Sequence, residues 1–289
     1  MKILRTVADL RKWRATQSTV GFVPTMGALH QGHLHLLKSS LNENQSTLLS
    51  IFVNPSQFSP SEDLDTYPRT FDDDVRKFAK LGGPSARAVF APTVADMYPG
   101  GIDLDVAKQK GTFVEVLGAS HLLEGAMRPH FFRGVATVVT KLLNAAQANV
   151  AYFGQKDIQQ TVIVRSLVRD LLMPTAISVK ETQREANGLA LSSRNAYLSE
   201  KEKAEAGIIY KSLEDARKVF QEEGATSASL VSQVTSALES SPIIADIEYV
   251  SVNDLDSFDF LDTPKNGSSV LSVAVRLHNG VRLLDNVLL

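Results

Sequence analysis

The sequence predicts an α/β protein: a Rossmann-like, doubly wound parallel sheet followed by a smaller C-terminal α+β domain. Three observations carry this. Short apolar runs alternate with helix-length amphipathic segments through residues 1–182, the rhythm of strand–helix–strand crossovers. One run, "TLLSIFV" at Thr47–Val53, is a near-continuous apolar run without a charged residue, as befits a strand buried on both faces. Beyond residues 182–186 the order changes to helices and then three β-rich segments. The expected domains are therefore 1–182 and 183–289.

The elements follow in order. Thr6–Ala15 has helical spacing, Val20–Val23 is a short β-rich run, and Gly32–Leu41 reads as a helix. Thr47–Val53 is the buried strand. Phe71–Leu81 is a helix and Ala88–Ala91 a short strand. Phe132–Gln147, "FRGVATVVTKLLNAAQ", is amphipathic and long enough for a helix. Val150–Phe153 and Ala176–Val179 are strands on either side of a helix at Ile158–Leu172. In the second domain, Ser199 followed by Glu202 forms a capping-box signal. It starts a helix that runs to about Glu223, and a second helix spans Ser227–Leu238. Ile247–Val252, Val270–Leu277 and Arg282–Leu288 are strands, the last two joined by the hairpin turn "HNGV" at His278–Val281.

Composition narrows the function. The chain has 289 residues, of which 44% are hydrophobic and 21% charged, so it can bury a large core or two. Its net charge of −2 gives no electrostatic case for binding nucleic acid or an anionic membrane. It has no cysteine, which excludes disulfides and thiolate metal sites. "MKILRTVADLRKWRA" lacks the apolar region of a secretory signal. No apolar run approaches the about 18 residues of a membrane span. A cytoplasmic location is expected.

"VPTMGALHQGHLHLL", Val23–Leu37, concentrates unusual chemistry. An apolar strand leads through a glycine turn into a helix that begins near Gly32. In a parallel sheet ligands bind at the carboxyl ends of strands, and helix N-termini attract anions. Gly27 and Gly32 let a phosphate approach the backbone. His30 and His33 flank that point, and an imidazole can donate to an oxygen gaining charge during displacement. A lone histidine on a helix is more often packed or solvated, and His-x-Gly-His is short. Its place after a strand raises it above that reading. A zinc site would need a third ligand. His35, His121 and His278 are bystanders.

Two further clusters lie at the same sheet edge. "SIFVNPSQFSPSEDLDTYPRT" brings Asn54 and Gln57 to the end of its strand. Uncharged amides suit hydroxyls and carboxylates; alone, the stretch would be a polar loop with Asn-Pro turn chemistry. "YFGQKDIQQ", Tyr152–Gln160, ends a strand at Gly154 and opens a helix near Lys156. Lys156 can neutralise phosphate charge. Asp157 can bind a ribose hydroxyl, a metal-bound water or an amide. Gln160 lies one turn on. "REANGLALSSRNAYL", Arg184–Leu198, adds Ser192, Ser193 and Arg194 in a loop able to close on phosphates, although a surface salt bridge is the commoner role for such an arginine.

The ordered segments "PTMGALHQGH", "FVNPSQF", "DLDTYPR", "FGQKD-x-QQ" and "REANGLALSSRN-x-YL" resemble the signatures of the pantothenate synthetase (pantoate–β-alanine ligase) family. The wider grouping is the nucleotidylyltransferases with a His-x-Gly-His element. The resemblance covers residues 20–200 and implies a reaction. The pantoate carboxylate attacks the α-phosphorus of ATP, and β-alanine then displaces AMP to give pantothenate. It implies magnesium with ATP, a homodimer and a C-terminal lid. By matching position, Met26, Gly27, His30, Gly32, His33, Gly154, Gln155, Lys156, Asp157, Gln183, Leu191, Ser192, Ser193 and Arg194 would line the ATP site. His33, His30, Lys156, Arg194, Ser192 and Ser193 would serve catalysis. Asn54, Gln57, Arg128 and Gln160 would hold pantoate and β-alanine. Asp73 and Asp74 are candidate metal contacts, though acids at a helix start also complement its dipole, the preferred reading. There are departures. "RPHFFRG" at Arg128–Gly134 puts His130 and Phe131 where the family usually reads Gly-His, and Leu191 stands where Met is common.

Overall fold

The computed structural model describes residues 1–289 apart from 61, 63 and 84. The chain packs as two units: Met1–Gly154 with Ile163–Lys180, and Gln155–Val162 with Glu181–Leu289. The segment after the fifth strand thus packs with the C-terminal unit, an allegiance that sequence order conceals.

In chain order the first unit contains β1 (Lys2–Leu4), α1 (Val7–Arg14), β2 (Val20–Thr25), α2 (Gln31–Glu43), β3 (Ser46–Ile51), α3 (Phe71–Lys80), β4 (Ala86–Phe90), the short α4 (Val94–Met97) and α5 (Glu124–Met127), α6 (Phe131–Ala146) and β5 (Val150–Gly154). Helix α7 (Ile158–Asp170) follows, and β6 (Ala176–Lys180) completes a sheet of six strands ordered β1-β4-β3-β2-β5-β6. All its pairings are parallel. The order reverses between β2 and β5, so the sheet has its switch point at their carboxyl ends.

Register explains the continuous apolar runs. Phe22 pairs with Leu48, and Val23 with Leu49. Successive side chains alternate between faces, and both faces are buried. Val23, Leu49 and Val89 pack with Leu37 and Leu41 of α2 and Phe78 of α3. Gly21 has no room for a side chain: a Cβ there would lie 2.2 Å from Ser40 Oγ. Nearby, Tyr152 of β5 donates to Glu43 at 2.9 Å and accepts from Asn44 at 2.7 Å, while Lys180 of β6 reaches Glu43 at 2.7 Å. Burial raises the Tyr152 phenol above its ordinary value; Lys180 is the main reason the Glu43 carboxyl lies below its own.

The second unit contains α8 (Glu200–Glu205), α9 (Gly207–Glu223), α10 (Ser227–Glu239), β7 (Ile244–Asp254), β8 (Ser269–Leu277) and β9 (Arg282–Leu288). The strands form an antiparallel sheet in that order. Leu213 of α9 and Leu230, Val234 and Leu238 of α10 share a core with Val273 and Val275 of β8.

The differences from expectation have local causes. β1 is not foreshadowed in the sequence, because its three residues are too few to show a period. The helix expected from Ser199 to Glu223 breaks at Ala206. There Asn187 donates to the carbonyls of Lys203 and Ala204 at 2.7 and 3.1 Å, and the Asn187 carbonyl would lie 2.4 Å from a Cβ on residue 207. A side chain that competes for ladder carbonyls interrupts a helix. The capping box at Ser199 and Glu202 forms as expected. β7 is longer than its apolar run because register shifts carry its pairing past irregular points.

Candidate active site

The histidine motif is built as a helix start. His30 is the N-cap of α2, with Nδ1 3.2 Å from the backbone N–H of Gly32. His33 returns the arrangement: its Nδ1 accepts from the His30 backbone N–H at 3.4 Å. The rings lie 4.1 Å apart. With both Nδ1 atoms accepting, the network assigns the proton of each neutral ring to Nε2. Two N–H groups and a helix N-terminus therefore share one corner of the sheet, suited to an anion. A Cβ at Gly32 would stand 2.9 Å from His30 Cε1, so any larger residue there would displace the His30 ring.

The preceding turn is held from outside. Gly27 has φ +92° and Ala28 φ +52°, the left-handed region that is costly for alanine. Asp74 of α3 fixes two peptides: Oδ2 accepts from Ala28 at 2.9 Å and Oδ1 from Leu29 at 2.7 Å. Thr70 donates to the same carboxylate at 3.1 Å. One turn on, Lys77 donates to the Leu29 carbonyl at 2.7 Å. Asp74 is fully buried and committed to these donors. Asp73 pairs with Lys77 at 2.8 Å at the surface. The Asp74 carboxylate is thus occupied by protein donors, whereas Asp73 faces solvent; among the described residues no group of three His, Cys, Asp or Glu could hold a metal.

Asn54 and Gln57 leave β3 beside this turn, since Thr25 and Ile51 are paired. Asn54 is only 1% exposed. Its Nδ2 donates to Gln57 Oε1 at 2.9 Å and to the Gly134 carbonyl at 3.2 Å; its Oδ1 accepts from Tyr98 at 2.7 Å and from Ser56 at 3.1 Å. This amide is consumed inside the protein. Its work is to hold the oxygen of Gln57, which directs the Nε2 donors of Gln57 away from it. Helix α6 approaches so closely that a Cβ on residue 134 would lie 2.2 Å from the Ser56 carbonyl.

Arg128 belongs to the same cluster but is already engaged. Nε reaches Glu62 at 2.6 Å, and Nη2 reaches Glu62 at 3.0 Å and the Gln57 carbonyl at 3.2 Å. Its guanidinium lies 3.9 Å from the Phe131 ring centroid. His130 has φ +72°. His130 thus adopts a backbone conformation that favours glycine. Asp63 of "DLDTYPR" lies outside the described residues.

Gly154 ends β5, and Gln155–Asp157 form a 3-10 turn before α7. Lys156 thus precedes the helix in which Gln160 sits. Its ammonium is 3.4 Å from Asp157. In the same unit, Gln183 and Leu191 close a small hairpin, with Leu191 N–H donating to the Gln183 carbonyl at 2.9 Å. Ser192 then caps a second 3-10 turn, accepting from Arg194 N–H at 3.2 Å. Ser193 is half-buried and Arg194 is exposed. Sequence reasoning missed what anchors these two segments. Asn286 of β9 donates to the carbonyls of Gln155 at 3.0 Å and Lys156 at 2.9 Å. Asp285 grips Arg184 through both guanidinium Nη atoms, Nη2 at 2.9 Å. Burial pushes the Asp285 carboxyl up, with Arg184 pulling the other way. Arg184 also lies 3.6 Å over Tyr210.

A parallel sheet with a histidine-capped helix start at its switch point defines an α/β protein whose strand ends at the carboxyl edge are suited to anionic ligands. Residues 2–288 match the family described as Pantoate-beta-alanine ligase, and the chain belongs to that family. It is 43% identical to the pantoate–β-alanine ligase of Saccharomyces cerevisiae over the whole of both chains. The pantothenate synthetase structure from Thermus thermophilus superposes with a TM-score of 0.88 at 39% identity, covering 99% of each chain. The pantoate–β-alanine ligase from Francisella tularensis, complexed with β-γ ATP and β-alanine, superposes with a TM-score of 0.76 at 32% identity, covering 100% of this chain and 97% of that one.

Proposed function

We propose that the protein condenses pantoate with β-alanine in an ATP-dependent reaction, forming pantothenate, AMP and pyrophosphate. The observation that carries this is the family match across residues 2–288. The ligands of the Francisella tularensis structure support ATP and β-alanine as substrates.

In the first step a pantoate carboxylate oxygen bonds to the α-phosphorus of ATP, and the bond to pyrophosphate breaks. Pantoate is ionised at neutral pH, so this step needs no base. It needs alignment and neutralisation of phosphate charge. His30 and His33 direct Nε2–H toward the phosphates, with Met26, Gly27 and Gly32 supplying close backbone approach. Gly154–Asp157 bind the nucleotide, with Lys156 on the phosphates, and Gln183 and Leu191–Arg194 complete that set. In the second step the neutral amine of β-alanine attacks the acyl carbon of pantoyl adenylate, AMP departs with the bonding electrons, and the amine loses its proton to solvent. Gln57 and Gln160 hold pantoate, Asn54 orients Gln57, and Arg128 secures the carbonyl of the same turn. Magnesium enters as part of the ATP substrate complex, riding on the phosphates as it commonly does.

The reading includes a homodimer and a cytoplasmic location. Among the described residues no helix is long and apolar enough to cross a membrane. Sedimentation and cell fractionation test these two points. For the reaction, purified protein is incubated with ATP, magnesium and pantoate, with and without β-alanine. AMP and pantothenate appearing together only with β-alanine establish the ligase. Pyrophosphate without amide product would instead mark an adenylyltransferase with another second substrate.

A further inference from the structure

The second unit contains a buried amide whose partners lie far away in sequence. Asn286 is 1% exposed. Its two Nδ2 hydrogens go to the carbonyls of Gln155 and Lys156 at 3.0 and 2.9 Å, and its Oδ1 accepts from Gln155 Nε2 at 3.2 Å. Its backbone N–H is held by Asp285 Oδ1 at 2.8 Å. Every polar side-chain atom of Asn286 is therefore spent on one turn, 131 residues earlier in the case of Gln155. Its neighbour Asp285 holds the other loop through Arg184, and Arg184 also donates to the Gly188 carbonyl at 3.1 Å.

We infer that Asn286 is a positioning residue for Lys156, fixing the backbone from which that ammonium projects toward the ATP phosphates. This rests on the function proposed above. A buried asparagine that merely satisfied its own strand would bond to its neighbours in the sheet. This one instead clamps two consecutive peptides, including that of the phosphate-binding lysine. With Asp285 it ties the Gln155–Asp157 turn and the Arg184–Arg194 loop to one point on β9. A lysine has four flexible carbons, so its aim depends on how well its own backbone is held. A misplacement of about 1 Å can cost about 100-fold in rate.

The test uses the full chain and two variants: Asn286→Ala, which removes the donors, and Asn286→Asp, which keeps the shape but sets an oxygen against both carbonyls. Pyrophosphate release is measured with pantoate and MgATP, with each variant also made on a Lys156→Ala background. The expected result is about a 10- to 100-fold drop in kcat for each single variant, with KM for pantoate unchanged. On the Lys156→Ala background the further drop should be less than about 2-fold, because the residue acts through the lysine. An equal drop in both backgrounds, or a single variant at wild-type rate, would overturn the inference. Hydrogen exchange of the unliganded protein provides a readout that needs no turnover. Faster exchange confined to residues 155–162 supports the clamp; unchanged exchange, or loss spread evenly over the unit, refutes it. A wild-type protein that makes no pantothenate would sink the proposed function, while the exchange result still decides whether Asn286 holds the turn.

Discussion

Asp74 accepts the backbone N–H of Leu29 at 2.7 Å, across 45 residues of chain. With its second oxygen on Ala28, it holds the turn that delivers His30 to the start of α2. Asp74→Ala would strand two amides, and a buried donor left without an acceptor costs about 1–3 kcal/mol. We expect a stability loss of about 2–4 kcal/mol in urea unfolding. Asp74→Asn retains one acceptor oxygen and should lose roughly half as much. If Asp74→Ala unfolds at the wild-type midpoint, the clamp has no energetic weight.

The capping role of His30 can be separated from the chemical role proposed for the two histidines. Asparagine is a good N-cap, so His30→Asn should keep stability within about 1 kcal/mol while removing the Nε2 donor. On the function proposed above, His33→Ala should lower adenylate formation about 100- to 1000-fold, the range for losing one donor to developing charge. Gly32→Ala should slow the same step by pushing the His30 ring from its seat, a Cβ there lying 2.9 Å from the ring. Pyrophosphate release and thermal melting, measured on the same preparations, distinguish lost chemistry from lost fold.

His130 occupies φ +72°. The left-handed region costs a non-glycine residue about 1–2 kcal/mol, while glycine gives back about 0.5–1 kcal/mol through its freer unfolded chain. His130→Gly should therefore stabilise the protein by about 0.5–1 kcal/mol, and His130→Val should destabilise it. A urea midpoint for His130→Gly below that of wild type would contradict the strain argument.

Glu43 carries the clearest pH signature. Lys180 is the main cause that lowers its carboxyl in the fold from an ordinary value of 4.5. A depressed carboxylate stabilises the fold above its unfolded pKa, and the benefit is lost as pH falls through the folded value. Glu43 is half-exposed, so screening keeps the effect below about 1 kcal/mol. The melting temperature of wild type should exceed that of Glu43→Gln by about 1–3 °C at pH 7. The gap should close as the pH drops below 4.5. A gap that widens in acid would reverse the assigned sign.

Much of this was legible in the chain because the signals were local. The apolar run at Leu48 and Leu49, the capping box at Ser199 and the His-x-Gly-His turn each show their reason within a few residues. What escaped depended on distant partners. Asp74 looks like any acid at a helix start until Ala28 and Leu29 come to meet it. Asn54 reads as a ligand-binding amide, yet Gly134 and Tyr98 consume much of its capacity from 80 and 44 residues away. The break at Ala206 is imposed by Asn187 from a preceding hairpin. Asn286 sits in an ordinary strand sequence, and nothing near it announces the turn it grips.

The grip of β9 on Gln155 has a bearing on synthesis. A ribosome makes the parallel sheet long before β9, and domains generally fold as they emerge. The turn bearing Lys156 is complete in sequence while its anchor has yet to be translated, 131 residues after Gln155. The growing chain therefore carries the Gln155–Asp157 turn without its anchor until β9 leaves the exit tunnel. Chains terminated ahead of β9 would lack the anchor, leaving the carbonyls of Gln155 and Lys156 without the two hydrogen bonds that Asn286 supplies.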